Sequence, residues 1–204
     1  MMKLAKKWRV PLVISALGTI ERKVAYEGSY TSKQIIDAMN FANKILSVSE
    51  DLKLHIVNLG INEEKVHVVP NGVDTGKFKP AGKAHARDLL NLPQDKNIVL
   101  FVGALRKIKG VDYLIEAAKN FVNTNTDLFM VGRDDGLRKN LEKRAQELKI
   151  ADRIRFIGPV NHEDVPLWIS ASDILVLPSL SEGRPNVILE ALACEVPVVA
   201  TDVG

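Results

Sequence analysis

The feature that most constrains the fold of this chain is a regular alternation of short apolar runs with longer amphipathic stretches. Leu137, Leu141 and Leu148 illustrate the amphipathic kind, because their spacing places them on one face of a helix. Crossovers of this length connect parallel strands, and strands buried on both faces are rich in Val, Ile and Leu. The alternation therefore predicts an α/β fold built on doubly wound parallel sheets.

The predicted elements lie on both sides of residues 70–80, a stretch dense in Pro, Gly, Asn and Asp that indicates a linker or long loop. The part before it shows only about three strands, which is small for a doubly wound domain. One helix in that part is expected to begin after Ser49 as N-cap and to stop at Gly60. We predict strands at 11–15, 44–48, 65–69, 98–102, 127–131, 154–157, 174–177 and 196–200, and further helices at 32–43, 111–121, 137–149, 162–170 and 185–194.

Composition and charge exclude several classes of protein. The chain has 46% hydrophobic and 26% charged residues, which is ordinary for a globular protein. Its formal net charge of +3 is too small for the concentrated basic surface of a nucleic-acid-binding protein. Cys194 is the single cysteine, so no intramolecular disulfide forms, which fits a reducing compartment such as the cytoplasm. No apolar run approaches the roughly 20 residues needed to span a bilayer.

Residues 1–9 combine several cations with Leu4 and Trp8. A basic amphipathic turn of this kind would give peripheral contact with the inner face of a membrane. The favoured interpretation is the exposed end of a helix that leads into the next strand, because the stretch is short and an apolar run follows at once. It is not a secretory signal, since no apolar core with a cleavage site follows the charges.

Ligands of open parallel sheets bind beyond the carboxyl ends of the strands, and the first suggestive loop there is 103–110. Arg106, Lys107 and Lys109 together with Gly103 and Gly110 would hold a diphosphate through charge and backbone N–H groups. The loop lacks the residue order of a Walker A motif. The alternative is a solvated basic turn, which by itself is the commoner case.

A second loop, 132–136, contains the adjacent acids Asp134 and Asp135. Two neighbouring carboxylates make a poor metal cage, and no third ligand is close in sequence. We therefore expect one of them to cap the following helix, and we predict no metal site.

The third loop, 177–186, runs into a helix that contains Glu190. Pro185 suits the first helical turn, and the N-terminus of a helix favours an anion by up to about 2 kcal/mol. Glu182 and Glu190 would then accept hydrogen bonds from the hydroxyls of a hexose and a ribose, at roughly 1.5–3 kcal/mol per bond. Two glutamates at this separation also occur by chance, so the spacing alone proves little.

Several stretches in the right order closely resemble the signature of family 4 glycosyltransferases, and the similarity covers essentially the whole chain. The resemblance implies a GT-B fold, in which two Rossmann-like domains face each other, and transfer of a sugar with retention of configuration. It also implies that residues 1–74 are the C-terminal part of an acceptor-side domain and that 75–204 are most of the nucleotide-sugar-binding domain. The stretches that carry the resemblance are 70–74, 101–103, 109–110, 156–158, 172–179, 182–191 and 197–201.

The same resemblance assigns roles to individual residues. Glu182 would hold hydroxyls of the donor sugar, Glu190 would hold the ribose, and Lys109 would bind the diphosphate. Arg106 is the candidate that assists Lys109 in stabilising the leaving group. The remaining candidates for substrate binding are Gly183, Arg184, Asn186, Val187 and Gly103.

Three positions depart from the family pattern. Ala104 stands where the family usually has Arg, and Leu17 precedes Gly18 where many members carry His. Glu195 stands where Gly is common, at an expected helix end, and is predicted to lower stability. Members also begin with earlier strands and continue further, so the chain is expected to be a fragment, with doubtful activity by itself.

The leading hypothesis is thus a retaining glycosyltransferase that uses a nucleotide-diphosphate sugar and needs no cofactor. Its acceptor would be a saccharide or a lipid-linked molecule, as in the assembly of polysaccharides or glycolipids. The alternatives are a nucleotide-sugar-binding fragment without catalysis and a related GT-B epimerase or phosphorylase. Cys194 is expected to serve packing, and no partner pattern marks the histidines, which are expected at surface or structural positions: His55, His67, His85 and His162.

Overall fold

The computed structural model describes residues 2–18, 30–121 and 124–203. Contacts divide the chain into two compact units. The first consists of Met1–Asn71, Ser181–Arg184 and Val203–Gly204, and the second of Gly72–Leu180 and Pro185–Asp202. Each unit therefore combines segments that are distant from one another in sequence.

The first unit contains a parallel three-stranded sheet in the order β1-β2-β3. Helices on the sheet bury Met39, Leu52 and Ile56 against Ile45 of the central strand. The basic N-terminal stretch is helical, with Leu4 and Trp8 exposed, and Met1 lies outside the described residues. The elements are α1 (Met2–Trp8), β1 (Val13–Ala16), α2 (Tyr30–Phe41), β2 (Lys44–Ser47), α3 (Glu50–Asn58) and β3 (Val66–Val68).

The ends of α3 confirm the sequence prediction. The hydroxyl of Ser49 accepts a hydrogen bond of 3.2 Å from the backbone N–H of Leu52, which satisfies one of the donors left over in the first turn. Gly60 follows the helix with a φ of 89°, a left-handed conformation that costs glycine little.

The second unit is a doubly wound α/β domain with a parallel five-stranded sheet in the order β6-β5-β4-β7-β8. Because β4 lies in the middle, the direction of winding reverses between β4 and β7, and this reversal creates a crevice at the carboxyl edge. The elements are α4 (Lys83–Leu89), β4 (Asn97–Val102), α5 (Val111–Ala118), β5 (Thr126–Val131), α6 (Arg138–Glu147), β6 (Ile154–Gly158), α7 (Val165–Ala171), β7 (Ile174–Leu177), α8 (Asn186–Ala193) and β8 (Val198–Ala200).

The core of this unit is built around its central strands. Leu100 of β4 lies in register with Phe129 of β5 and Leu175 of β7, and all three are buried. Ile115 of α5 and Ile169 of α7 belong to the same apolar cluster. Strands buried on both faces require near-continuous apolar runs, which is why the alternation in the sequence located them.

Several details of the sequence prediction are wrong; the helix expected at 162–170, for example, begins only at Val165. Pro185 lies outside the helical turn as its N-cap, with φ −72° and ψ 117°, so α8 begins at Asn186. The last strand begins at Val198, since Pro197 has no N–H with which to join the ladder. Helix α4 was not predicted at all, and it is positioned by the buried Arg87, which donates hydrogen bonds to the carbonyls of Ala171, Pro93, Gln94 and Lys96 and to the carboxylate of Asp173.

No helix among the described residues is both long and apolar enough to cross a membrane.

Candidate active site at the carboxyl edge of the five-stranded sheet

The loop after β4 and the loop after β7 are joined by a backbone hydrogen bond at the winding reversal. The N–H of Leu180 donates to the carbonyl of Ile108 over 2.8 Å. Ile108 is the middle residue of a short 3₁₀ turn, Lys107–Lys109, so the bond fixes the basic turn beside the end of β7. The structure thus brings the first and third sequence-predicted loops together within the second unit.

Gly110 makes this approach possible. It has a φ of 65°, and a Cβ at this position would lie 1.8 Å from the carbonyl oxygen of Pro178. Helix α5 begins directly after it. Gly110 therefore serves both the left-handed turn and the close contact between the two loops.

Lys109 is half-buried at the end of the 3₁₀ turn, and its backbone N–H donates to the carbonyl of Arg106 over 2.9 Å. It stands beside the start of α5, where the turn and the helix meet. The N-terminus of α8, which carries a partial positive charge, lies at the same edge of the sheet as the cationic side chain of Lys109. Such an arrangement stabilises a bound anion.

Arg106 is engaged with acids of the neighbouring loop. Its guanidinium forms an ion pair with Asp135, whose other oxygen accepts a 2.7 Å hydrogen bond from Arg133. Hydrogen bonds from Arg106 and Arg133 lower the pKa of the Asp135 carboxyl below its usual value. Arg106 is therefore held in a cluster of three charges at the carboxyl edge.

Asp134 caps the start of α6, as one of the two acids was predicted to do. One of its oxygens accepts hydrogen bonds from the N–H groups of Gly136, Leu137 and Arg138 at 2.8, 2.9 and 3.1 Å. The hydrogen bonds from these backbone N–H groups lower the pKa of its carboxyl. Among the described residues, no three acids, histidines or cysteines are grouped as metal ligands.

Glu190 lies in the second turn of α8, with 14% of its side chain exposed. Burial raises the pKa of its carboxyl, while His162 and Lys77 counteract that rise. The Nε2 atom of His162 lies 3.6 Å from Oε1 of Glu190. A half-buried carboxylate of this kind is suited to accept hydrogen bonds from the hydroxyls of a ligand.

Glu182 and Gly183 are grouped with the first unit rather than with Glu190. Glu182 is buried, and its N–H donates to the carbonyl of Val203 over 3.2 Å. A Cβ on Gly18 would lie 2.6 Å from the Cα of Gly183, so the two glycines permit close packing of backbone in that unit. The convergence of Glu182 with Lys109 and Glu190 on one pocket stays a prediction.

Sequence reasoning missed one pair of residues near Glu190, because it placed His162 at a surface or structural position without a partner. Nζ of Lys77 lies 2.6 Å from Nδ1 of His162 and 2.7 Å from Oε1 of Glu163. Lys77 and His162 are separated by 85 residues, so no local spacing could have shown the contact. Only one feature of the sequence pointed to this contact, which was the presence of Lys77 in the 70–80 segment.

Comparison with known proteins agrees with this fold. The second unit and its loop arrangement define an α/β domain of the GT-B glycosyltransferase type. Residues 83–204 match the family model described as glycosyl transferases group 1, and residues 1–77 match the model described as glycosyltransferase family 4. The first match covers more than half of the chain, so the chain belongs to the group 1 glycosyltransferase family.

Similar curated proteins include D-inositol 3-phosphate glycosyltransferase 2 of Catenulispora acidiphila, which is 34% identical over 98% of this chain and 51% of its own length. The D-inositol 3-phosphate glycosyltransferase of Mycobacterium tuberculosis is 30% identical over 97% of this chain and 43% of its own length. The chain therefore spans about half the length of these relatives.

Two solved structures show the same fold. HepE of Anabaena, crystallised with UDP and glucose, superposes with a TM-score of 0.87 at 25% identity, over 100% of this chain and 56% of that one. Sucrose-phosphate synthase of Thermosynechococcus elongatus gives a TM-score of 0.85 at 28% identity, over 99% of this chain and 53% of that one.

Proposed function

We propose that this chain is the donor-binding part of a glycosyltransferase that transfers a sugar from a nucleotide-diphosphate sugar to an acceptor, with retention of configuration. The observation that carries the proposal is the joining of the basic turn 107–109 to the loop after β7 at the winding reversal. Open α/β sheets bind their ligands at this position. The family membership and the UDP complex of the similar HepE support the same conclusion.

The chemistry assigned to this edge is stabilisation of a leaving group. When the bond between the anomeric carbon and the diphosphate oxygen breaks, the diphosphate keeps the electron pair and gains charge. Lys109 and the positive end of α8 offset that charge, and preorganised groups of this kind give large rate effects in a site that excludes water. The proposal uses no metal ion and no cofactor for this step.

Glu190 is assigned to the ribose and Glu182 to the hydroxyls of the donor sugar. The position of Glu190 supports its assignment, because its half-buried carboxylate lies one turn inside α8, beyond the end of the helix that would face the diphosphate. Arg106 reaches the diphosphate only when Asp135 releases it, since the two are paired in the structure. We therefore assign Arg106 a main role in holding the loop through its ion pair with Asp135, and a secondary role in stabilising the leaving group. The backbone at Gly103 and the residues Gly183, Arg184, Asn186 and Val187 complete the proposed donor contacts.

The acceptor is proposed to be a saccharide or a lipid-linked molecule. Two observations support a phosphorylated or lipid-linked acceptor: the names of the inositol phosphate glycosyltransferases above, and the basic helix α1 with Leu4 and Trp8 exposed. An amphipathic basic helix of this composition suits peripheral contact with an anionic membrane on its cytoplasmic side.

The test is a product analysis after incubation with UDP- and GDP-sugars and candidate acceptors. Release of free nucleoside diphosphate together with a glycosylated acceptor is expected. Isomerised donor sugar would instead show an epimerase, and phosphate-dependent formation of a sugar phosphate would show a phosphorylase. Tight donor binding without any product, in a protein carrying both complete domains, would leave the nucleotide-sugar-binding alternative and overturn the enzyme assignment.

A further inference from the structure

Lys77, His162 and Glu190 form a connected row of side chains within the second unit. An ammonium group can only donate hydrogen bonds, so the 2.6 Å contact between Nζ of Lys77 and Nδ1 of His162 requires a lone pair on Nδ1. The proton of the neutral imidazole must then lie on Nε2. The contact with Lys77 thus selects one of the two tautomers of His162.

The Nε2–H group of that tautomer faces Glu190. The distance of 3.6 Å to Oε1 is too long for a direct hydrogen bond, but it gives an electrostatic attraction between the N–H dipole and the carboxylate. The ring of Phe78, which is itself buried, meets the imidazole edge-on at a centroid distance of 5.5 Å. Lys77 and Phe78 therefore restrain an imidazole that is otherwise 65% exposed.

Neighbouring residues of the 70–80 segment thus reach the proposed ribose carboxylate through one histidine. Glu163 accepts a 2.7 Å contact from Lys77 and helps to hold the ammonium group in place. The arrangement extends over side chains from three parts of the chain: the 70–80 segment, the loop before α7, and α8. His162 is therefore held by specific contacts with Lys77 and Phe78, unlike a histidine that is merely exposed to solvent.

We propose that Lys77 and His162 are positioning residues: Lys77 fixes the tautomer and orientation of His162, whose Nε2–H keeps the Glu190 carboxylate ionised and oriented toward the hydroxyls of the donor nucleoside. This role rests on the proposed function, because it assigns Glu190 to a nucleoside. Neither residue is required to touch the reacting atoms.

The proposal predicts the direction in which the pKa of the Glu190 carboxyl changes when a partner is removed. Among the residues that the structure describes, the groups that act on the Glu190 carboxyl are His162 and Lys77, and the buried thiol of Cys194 further along α8 interacts with it. Helix α7, which packs on α8, has no ionisable side chain. Burial raises the pKa of the Glu190 carboxyl, whereas His162 and Lys77 each lower it. Loss of either partner therefore raises the pKa further, so the carboxylate is lost at a higher pH than in the unaltered protein.

The first experiment follows the free protein by NMR. Carbon-detected titration of the Glu190 carboxyl, assigned by its loss in Glu190→Gln, is expected to show a higher pKa in His162→Ala and Lys77→Met. Nitrogen spectra of the imidazole are expected to show the Nε2–H tautomer of His162 in the unaltered protein and a mixture in Lys77→Met. Controls are His85→Ala and Lys79→Met, which remove an exposed histidine of α4 and an exposed lysine of the 70–80 segment. An unmoved Glu190 titration in both test variants would overturn the proposal.

The second experiment measures UDP and GDP binding by calorimetry at acid and at alkaline pH, on either side of the titration of the Glu190 carboxyl. His162→Ala and Lys77→Met are expected to bind UDP about tenfold more weakly at the acid end, the size of one lost interaction with a charged group, and to approach the unaltered protein at the alkaline end. His162→Gln, which keeps an N–H donor, is expected to recover most of the affinity. Absence of UDP and GDP binding in the unaltered protein would overturn the proposed function, whereas equal binding in all variants at every pH would overturn only the positioning role.

Discussion

Gly110 and Pro178 approach each other so closely that a single added carbon at Gly110 would lie 1.8 Å from the Pro178 carbonyl oxygen. The contact joins the start of α5 to the residue that follows β7. It explains why the basic turn cannot move away from the third loop without loss of packing. The geometry of the candidate site is therefore fixed by backbone, while its charges are supplied by side chains.

Gly110→Ala is expected to lower the free energy of unfolding by about 2–4 kcal/mol, because the left-handed φ and the overlap with Pro178 both act against it. Gly60→Ala is the control: Gly60 also has a positive φ, 89°, but nothing lies within 4 Å of its added Cβ. The control should lose only about 1 kcal/mol. Urea unfolding measures both, and equal losses would show that the Pro178 contact has no energetic effect.

Lys109→Ala is expected to weaken binding of UDP by about 10- to 100-fold, the loss of one charged hydrogen bond to a phosphate. The weakening should shrink at high salt, since the interaction is electrostatic. Lys119→Ala provides the comparison, because Lys119 follows the far end of α5, at the opposite edge of the sheet. Calorimetry that finds the two variants alike would place the diphosphate elsewhere.

Arg87→Met is expected to destabilise the protein by about 3–5 kcal/mol, because Asp173 would lose its buried partner and four carbonyls would lose a donor. Lys83 contacts the same carboxylate at 2.6 Å from a side chain that is 51% exposed. Lys83→Met should therefore cost less than about 1 kcal/mol. The midpoint and slope of urea unfolding separate these two expectations, and a small effect of Arg87→Met would contradict the role given to Arg87.

Glu195→Gly is expected to stabilise the protein by about 0.5–1 kcal/mol. Glu195 follows α8 with a φ of 58°, a conformation that is unfavourable for any residue with a Cβ. The gain is smaller than the full strain because glycine also loses more backbone entropy on folding. Glu195→Ala keeps the Cβ and should show no gain, so an equal gain in both variants would point to the charge of Glu195 instead.

Asp134 should make stability depend on pH in the acid range. Its folded pKa lies below the ordinary value because backbone N–H groups bind the carboxylate, so its stabilising effect is present above the unfolded pKa and is lost as the pH falls through the folded pKa. Asp134→Asn keeps an acceptor for the cap but cannot titrate. Its unfolding free energy should therefore change less between neutral and acid pH than that of the unaltered protein, and parallel profiles would contradict this account.

Much of the fold follows from local pattern. The strand Ile174–Leu177 was predicted to the residue, and the other strands of the second unit were located within two residues at each end. Buried parallel strands need apolar runs whatever their neighbours are, so the sequence alone reveals them. The sequence also predicts the cap at Ser49 and a cap by either Asp134 or Asp135, because a cap depends on residues close in sequence.

What the sequence could not show depends on distant contacts. Arg87 is a charged residue on a short helix, and only its partners in other segments explain its burial. The row from Lys77 through His162 to Glu190 likewise requires the folded chain. Glu195 combines both kinds of information. The sequence shows that it replaces the usual glycine, and the structure shows the positive φ that makes this replacement unfavourable.

The central place of β4 in the five-stranded sheet also determines when the candidate site can form. The ribosome delivers β4, β5 and β6 before β7, so one half of the sheet and its helices can associate while the other half is still being made. The turn at 107–109 emerges early, but its hydrogen-bond partner Leu180 arrives only after β7 has entered the sheet. The candidate site is therefore completed late in the synthesis of the chain, after most of the five-stranded sheet has been made.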